Sequence, residues 1–307
     1  MALQGLLQSG DHVVASSIEH NSVLRPLGEL RRRLGIEITR VDADPTGLVD
    51  AADFQRAVRP NTKLIALIHA SNVTGAIQPV ATVGDIARKS GALFLVDAAQ
   101  TAGHLPIDVR SFPCDLLACP GHKGLLGPLG TGILYVRPGV EEHLSSFRQG
   151  GTGTHSEKDV QPETLPDKYE SGNHNAPGLV GLEAGAAWLL ERGVAALHDH
   201  EQALVRRLID GLSETRGVRV FGPDSAKKCV GVVSLAIDGI DPQDAANILD
   251  DSFDIQTRAG LHCAPGAHRA IGTFDRGGTV RFSVGPFTTD DHIAAAISAV
   301  RQIASAT

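Results

Sequence analysis

The chain has 307 residues, a length that suits one large α/β domain plus a smaller one with a substantial core. Its formal net charge is -7 without a long basic run, so we expect no binding to nucleic acid or to an anionic membrane. No apolar run approaches the roughly 20 residues that cross a bilayer, and the N-terminus lacks a signal-peptide pattern. We therefore expect a cytoplasmic protein with no membrane contact.

Four cysteines lie far apart without a Cys-x-x-Cys pair. This predicts reduced thiols, and it indicates neither a metal site nor a disulfide framework. Cys114, Cys119 and Cys229 have apolar neighbours and are expected to be small core residues. Cys263 stands in a polar setting and is considered below.

In the first half of the chain, short runs rich in Val, Ile and Leu alternate with helical patterns. Continuous apolar strands alternating with helices predict a mainly parallel sheet that is sandwiched by helices. Asp50 can cap a helix that runs to about Val58, and a second helix is predicted from Val80 to Lys89, ended by Gly91. The predicted strands are His12–Ala15, Glu37–Val41, Leu64–Ile68, Leu93–Val96, Leu116–Ala118 and Ile133–Val136.

A long helical pattern from Leu179 to Leu212, broken at Gly193, predicts the junction between two domains. We place a large domain at residues 1–190 and a small C-terminal α+β domain at residues 191–307. The predicted elements of the small domain are strands at Val218–Phe221, Cys229–Ile237, Ile255–Arg258 and Val280–Val284, and helices at Asp241–Leu249 and Thr289–Ser305.

The strongest chemical signal is a carboxylate after a strand, followed by a lysine in a glycine-rich turn. Asp97 directly follows an apolar strand, and ligands of open parallel sheets bind where strands end. Lys123 stands in the run Gly121-His122-Lys123-Gly124, and a lysine sheltered from water becomes nucleophilic and can form a Schiff base. Either residue alone is more often a helix cap or a surface lysine, but the pair in this order predicts a cofactor site.

Together these residues resemble the pyridoxal-phosphate site of the class V aminotransferase family, specifically its cysteine desulfurase branch. The resemblance implies a fold-type I pyridoxal-phosphate enzyme in which Lys123 binds the cofactor covalently and Asp97 pairs with its ring nitrogen. It also implies that Gln100 contacts the phenolic oxygen and that His122 reaches the phosphate.

Two further segments of the large domain fit this resemblance. The segment Ser17-Ile18-Glu19-His20-Asn21-Ser22 is similar to the one whose histidine stacks on the cofactor ring and moves protons, which implies this role for His20. The loop Ser71-Asn72-Val73-Thr74-Gly75 is similar to one whose asparagine lies near the cofactor and the substrate carboxylate, which implies this role for Asn72. Taken alone, His20 would be interpreted as a polar loop histidine and Asn72 as a turn-forming residue.

The small domain carries two more matches. The run from Arg258 to Pro265 resembles the short cysteine loop of the desulfurases, which makes Cys263 the implied nucleophile. A thiolate is favoured by positive neighbours, and we expect Arg258 and His262 to supply them. The segment Thr279-Val280-Arg281-Phe282-Ser283 resembles the strand whose arginine, here Arg281, clamps the substrate carboxylate through paired hydrogen bonds.

The sequence departs from the family pattern in the segments that are expected to bind the cofactor phosphate. The chain begins within the latter part of a helix, Ala2 to Leu7, which in relatives follows a Gly-Thr phosphate-binding turn, and we expect its absence to weaken cofactor binding. Pro120 and Asn173 also replace common hydroxyl residues. The glycine-rich run Gly150-Gly151-Thr152-Gly153-Thr154 could compensate, because in the family this region approaches the cofactor of the partner subunit.

These residues predict that L-cysteine is converted to L-alanine while its sulfur is held as a persulfide on Cys263 and passed to a sulfur-acceptor protein, toward iron–sulfur clusters or another thio-compound. We expect a homodimer. Two alternatives remain open at this point. One is a selenocysteine lyase or aminotransferase of the same fold, and the other is a truncated, catalytically impaired dimer partner or binding module.

Overall fold

The computed structural model of the chain describes residues 1–110 and 112–306. Within these residues, six strands form a large sheet in the order β2-β1-β3-β4-β5-β6, in which all pairs are parallel except β5–β6. A second sheet has the order β7-β8-β10-β9 and is antiparallel. The strands are β1 (His12–Ser16), β2 (Glu37–Val41), β3 (Thr62–Ile68), β4 (Leu93–Asp97), β5 (Leu116–Pro120), β6 (Gly132–Val136), β7 (Val218–Phe221), β8 (Val232–Ile237), β9 (Arg258–Gly260) and β10 (Thr279–Ser283).

Helices connect the parallel strands and cover the sheets, and the predicted fold class is confirmed. The predicted cap of α3 is also confirmed, because the side chain of Asp50 accepts a hydrogen bond from the backbone of Ala52 at 2.8 Å. The long helical segment breaks at Gly193, as predicted. The helices are α1 (Ala2–Leu6), α2 (Asn21–Leu34), α3 (Ala51–Ala57), α4 (Val80–Ser90), α5 (Ala176–Arg192), α6 (Val194–Ser213), α7 (Pro242–Phe253), α8 (Pro265–Ala270) and α9 (Asp290–Ser305).

The two sheets have separate apolar cores. The central strands of the large sheet bury residues on both faces, as the unbroken apolar run of β3 requires. The core of the small sheet is built from β8, β10, α6 and α9. The domain boundary between residues 190 and 191 stays a prediction. None of the helices in the described ranges is long and apolar enough to span a membrane.

Two strands of the small domain differ from their predicted bounds because of hydrogen bonds that patterning cannot show. The segment before Val232 bonds to the large domain, where the backbone of Val230 donates to the carbonyl of Gly75 at 2.9 Å. The backbone of Ile255 closes the end of α7 by donating to Leu249 at 2.9 Å, so pairing with β10 begins only at Arg258.

The segment around Cys263 packs tightly against the turn after β1. A Cβ atom added to Gly266 in α8 would lie 1.8 Å from the carbonyl oxygen of Ser17, a distance that no side chain tolerates. The backbone of Asn21 also donates a hydrogen bond to the carbonyl of Cys263 at 2.8 Å. Glycine at position 266 therefore permits the small domain to approach the carboxyl end of the large sheet.

We expect Gly266→Ala to lower the free energy of unfolding by about 1–3 kcal/mol, because overpacking displaces the Ser17 backbone. Chemical denaturation measures this change. Gly28→Ala is the matched control: Gly28 also lies in a helix, and a Cβ there meets nothing within 4 Å. The control should be neutral or stabilising, and equal behaviour of the two variants would contradict the close contact.

Candidate active site

The site is assembled at the carboxyl ends of neighbouring strands of the large sheet. Asp97 is the last residue of β4, is buried, and accepts a hydrogen bond from the backbone of Ala99 at 2.9 Å. Lys123 lies in the turn that follows β5, the strand paired with β4. This turn is closed by hydrogen bonds from Leu126 to Lys123 at 2.9 Å and from Gly127 to Gly121 at 2.7 Å, all between backbone groups.

Lys123 and Asp97 interact electrostatically within this crevice. Burial lowers the pKa of the Lys123 ammonium, the charge of Asp97 opposes this effect, and Arg281 and Arg258 reinforce it. Burial raises the pKa of Asp97, while the hydrogen bond from Ala99 and the charges of Lys123 and His20 act in the opposite direction. Lys123 thus loses its proton more readily than an exposed lysine, which is what a nucleophilic amine requires.

His20 caps helix α2 and faces the same crevice. Its Nδ1 atom accepts a hydrogen bond from the backbone of Ser22 at 3.1 Å, so in the neutral ring the proton resides on Nε2. Its pKa is lowered by burial and then by the positive charge of Lys123, while Asp97 raises it. The ring is therefore held in its neutral form near pH 7, with the Nε2–H group available as a hydrogen-bond donor.

Asn72 connects the predicted carboxylate clamp to the cysteine loop. The side-chain amide of Asn72 donates a hydrogen bond to the backbone carbonyl of His262 at 2.6 Å. The backbone carbonyl of Asn72 accepts a hydrogen bond from Nη1 of Arg281 at 2.9 Å. Three buried polar atoms at this junction have no partner among the described residues, namely Oδ1 of Asn72, Nδ1 of His262 and Nε of Arg281. Such unsatisfied groups are expected where a polar ligand binds.

Cys263 lies in a backbone conformation that is unusual for residues other than glycine. His262 and Cys263 have φ angles of 48° and 60°. Nη2 of Arg258 lies 3.8 Å from the sulfur of Cys263, so one of the two expected positive neighbours is present. The thiol is partly accessible, whereas the other three cysteines are buried, as their apolar neighbours predicted.

The expectation that His262 supplies positive charge is wrong. Its ring is buried, and its Nε2 lies 3.1 Å from the hydroxyl oxygen of Thr279. Burial, together with Arg281, His268 and Arg258, lowers its pKa to about 3, so the ring is neutral near pH 7. The sequence pattern does not reveal the neutral state of His262, because the burial of a residue in a short loop depends on which strand packs against that loop.

The predicted roles of Gln100 and His122 at the cofactor are not supported by hydrogen bonds within the site. Gln100 is half-buried in the turn after Asp97, and His122 is exposed beside Lys123. Within the described ranges, neither side chain has a hydrogen bond to another predicted site residue. Asn173 and the loop from Gly150 to Thr154 lie mostly at the surface, and their roles toward the phosphate stay predictions.

Sequence reasoning missed Glu19, a fully buried carboxyl beneath the site. Its Oε1 accepts hydrogen bonds from the hydroxyl of Ser16 at 2.5 Å and from the backbone of Ile68 at 2.8 Å, and its Oε2 has no partner among the described residues. Burial raises its pKa to about 8, and the charge of Asp97 adds to this effect. It lies three residues after the end of the buried strand β1, so the signal in the sequence was weaker than that of Asp97, which ends β4 itself.

A second missed contact ties the lysine turn to the small domain. Nδ1 of His104 lies 2.9 Å from Oε2 of Glu201, a buried residue of α6. A Cβ added to Gly124 would lie 2.5 Å from the His104 ring, so this ring packs directly against the residue that follows Lys123. The two residues are far apart in sequence, which is why patterning gave no signal for the pair.

The class-V aminotransferase family model matches residues 1–295. A probable cysteine desulfurase of Methanothermobacter thermautotrophicus is 38% identical over 93% of this chain and 71% of the relative, and one of Pyrococcus abyssi is 34% identical over 86% and 66%. The chain thus spans about two thirds of the lengths of these two relatives.

Solved structures agree with the sequence comparison. The apo cysteine desulfurase of Thermococcus onnurineus NA1 superposes with a TM-score of 0.91 at 34% identity, covering 99% of this chain and 76% of that one. The Escherichia coli cysteine desulfurase CsdA, in an S-sulfonic acid form, gives a TM-score of 0.89 at 28% identity, covering 100% and 76%.

The chain belongs to the class-V aminotransferase family. Within that family its relatives and structural neighbours are cysteine desulfurases, so it is a member of the cysteine desulfurase branch.

We expect Glu19→Gln to flatten the dependence of stability on pH. A carboxyl whose pKa rises from its ordinary value of 4.5 to about 8 takes up a proton on folding, so its contribution to stability falls as the pH rises through this window. The slope contributed by one such group is up to about 1.4 kcal/mol per pH unit. Glutamine keeps an acceptor oxygen without the titration.

Urea denaturation at pH 6, 7 and 8 measures the free energy of unfolding of Glu19→Gln and of the parent. The difference in favour of the variant should grow as the pH rises. Glu183→Gln is the control, because Glu183 is exposed on α5. An advantage that stays constant across the three pH values would show that Glu19 is ionised in the folded chain.

Proposed function

We propose that this chain is a pyridoxal-phosphate-dependent cysteine desulfurase that converts L-cysteine to L-alanine and holds the sulfur as a persulfide on Cys263. The observation that carries the proposal is one accessible thiol, with a guanidinium at 3.8 Å, that interacts electrostatically with the partly buried Lys123 in a crevice that also contains the buried Asp97. A cysteine at this place favours desulfuration over transamination, because transamination needs no sulfur nucleophile.

The residues of the crevice fit pyridoxal phosphate. An amine with a lowered pKa suits its aldehyde, and the Asp97 carboxylate suits a protonated ring nitrogen. The unpartnered Oδ1 of Asn72 and the ring of His20 supply further polar contacts. The bound cofactor supplies an electron-accepting ring, which stabilises negative charge at the α-carbon of the substrate.

The chain's own residues orient the substrate and move its protons. Arg281 binds the substrate carboxylate, and the bond from its Nη1 to the carbonyl of Asn72 fixes the orientation of the guanidinium. Lys123, once its amine is free, accepts the proton from the α-carbon and returns it later in the reaction. His20 carries a proton on Nε2 and serves as a second donor near the same position.

Cys263 then removes the sulfur. Its thiolate forms a bond to the substrate sulfur, the bond between that sulfur and the β-carbon breaks, and the electron pair of the broken bond stays on the carbon skeleton. Protonation of this carbon gives alanine. Arg258 stabilises the thiolate form of Cys263, because its Nη2 lies 3.8 Å from the sulfur.

We expect Cys263→Ser to keep the cofactor absorbance and to lose alanine formation from cysteine by roughly 10³-fold or more. Mass spectrometry of the unmodified chain after brief exposure to cysteine should find 32 Da of added sulfur on the peptide that contains Cys263. Cys229→Ala is the matched control, since that buried thiol, whose pKa is raised to about 12 by burial, lies outside the site. Sustained turnover by Cys263→Ser would refute the assignment.

We further propose that the enzyme acts as a homodimer and passes its sulfur to an acceptor protein. Helix α5 and the loop before β6 expose large apolar side chains, which in a lone chain would face water. The exposed fractions are 46% for Leu179, 65% for Val180, 78% for Leu190 and 78% for Leu129.

If these residues form the dimer contact, Val180→Glu should shift the mass measured by size-exclusion chromatography with light scattering from two chains to one. Ile248→Glu is the control, because Ile248 is also exposed but lies on α7 of the small domain. A parent chain that elutes as a monomer, or a Val180→Glu variant that stays dimeric, would contradict this surface.

A further inference from the structure

Cys263 lines a cavity of about 540 Å³ whose charged lining is basic. Arg25 of α2, Arg258 of β9 and Arg269 of α8 line it together with Cys263, and no carboxylate of the described residues lines it. The neutral ring of His262 adds no charge near pH 7, because its pKa is lowered to about 3 by burial. The cavity therefore combines one accessible thiol with three guanidinium groups.

The guanidinium groups of Arg25 and Arg269 are available to a ligand, while that of Arg258 lies at the sulfur of Cys263. Among the residues that the structure describes, none of the three forms an ion pair with a carboxylate, and all three side chains are exposed. The guanidinium of Arg269 stacks over the ring of Phe274 with a centroid distance of 4.0 Å, which holds it at the wall of the cavity. The chain as a whole carries a net charge of -7, so a basic cavity here is not a consequence of composition.

We propose that this cavity selects the thiol that receives sulfur from Cys263 by binding carboxylate groups next to that thiol. The proposal rests on the proposed function, and it identifies the chemical class of the acceptor. An arginine holds a carboxylate through paired hydrogen bonds, and a basic cleft raises the local concentration of anions. Arg25 and Arg269 recognise the acceptor, while Arg258 stays with the sulfur of Cys263.

The transfer step is balanced without a further reagent. The thiolate of the acceptor attacks the terminal sulfur of the protonated Cys263 persulfide and forms a new sulfur–sulfur bond. The bond between that sulfur and Cys263 Sγ breaks, and its electron pair stays on Sγ as a thiolate. The acceptor leaves as a persulfide, and Arg258 stabilises the thiolate that remains.

The charge preference of the cavity can be tested without cofactor or substrate. Iodoacetate and iodoacetamide alkylate the same thiol but differ in charge, and peptide mass spectrometry measures the rate at Cys263 for each. In the double variant Arg25→Gln/Arg269→Gln we expect the ratio of the iodoacetate rate to the iodoacetamide rate to fall about tenfold at low salt. Arg33→Gln/Arg219→Gln, which removes two charges that do not line the cavity, should keep the parent ratio.

A second assay follows sulfur transfer from the persulfide-loaded chain, whose loading is verified by mass before the acceptor is added. The probes are a cysteine peptide flanked by two Glu on each side, the same peptide with Gln, and the small thiols mercaptosuccinate and 2-mercaptoethanol. Rates are divided by the thiolate concentration of each probe. The Glu peptide should react about tenfold faster than the Gln peptide, and Arg25→Gln/Arg269→Gln should abolish this difference without slowing the Gln peptide.

A preference for the Glu peptide supports an acidic protein segment as the acceptor. If the two peptides react equally and only mercaptosuccinate is preferred over 2-mercaptoethanol, the result supports a small anionic thiol as the acceptor at the same cavity. Unchanged ratios in Arg25→Gln/Arg269→Gln in both assays would overturn the proposal. A chain that never acquires sulfur on Cys263 would refute the proposed function, and the alkylation ratio would still decide whether the cavity prefers anions.

Discussion

The site depends on a close backbone contact between the cysteine loop and the carboxyl end of the large sheet. The carbonyls of His262 and Cys263 are both held by groups of the large domain, through the side chain of Asn72 at 2.6 Å and the backbone of Asn21 at 2.8 Å. These bonds hold two consecutive residues in the left-handed region, where residues other than glycine are disfavoured. The cysteine loop, which follows β9 of the small sheet, is thereby fixed at the carboxyl end of the large sheet, where Cys263 interacts electrostatically with Lys123.

Burial is the second constraint, because it is the largest cause of the pKa shifts of Lys123, Asp97, Glu19 and His20. It favours the neutral forms of Lys123, Asp97 and Glu19, and lowers the pKa of His20 as well. Charges of opposite sign are paired within the crevice, so the effects of burial are partly offset there. Arg25, Arg258 and Arg269, which line the cavity at Cys263, form no ion pair with a carboxylate of the described residues, so the charge around the cysteine loop is mainly positive.

Much of this organisation could be predicted from the sequence. The strand before Asp97 and the turn around Lys123 are local patterns, and the parallel sheet brings the ends of their strands together. The long-range contacts could not be read in this way. The bond from Asn72 to His262 spans 190 positions and the contact of His104 with Glu201 spans 97, so both arise only when the domains pack. The neutral state of His262 is also a consequence of packing.

The most direct test of the central claim is borohydride reduction of the purified protein supplied with pyridoxal phosphate, followed by peptide mass spectrometry. If Lys123 binds an aldehyde cofactor in the crevice with Asp97, reduction removes the visible absorbance and leaves one pyridoxyl phosphate group on the peptide that contains Lys123. Asp97→Asn should weaken retention of the cofactor without moving the label. A label on a different lysine, or a chain that binds no pyridoxal phosphate at all, would contradict the account.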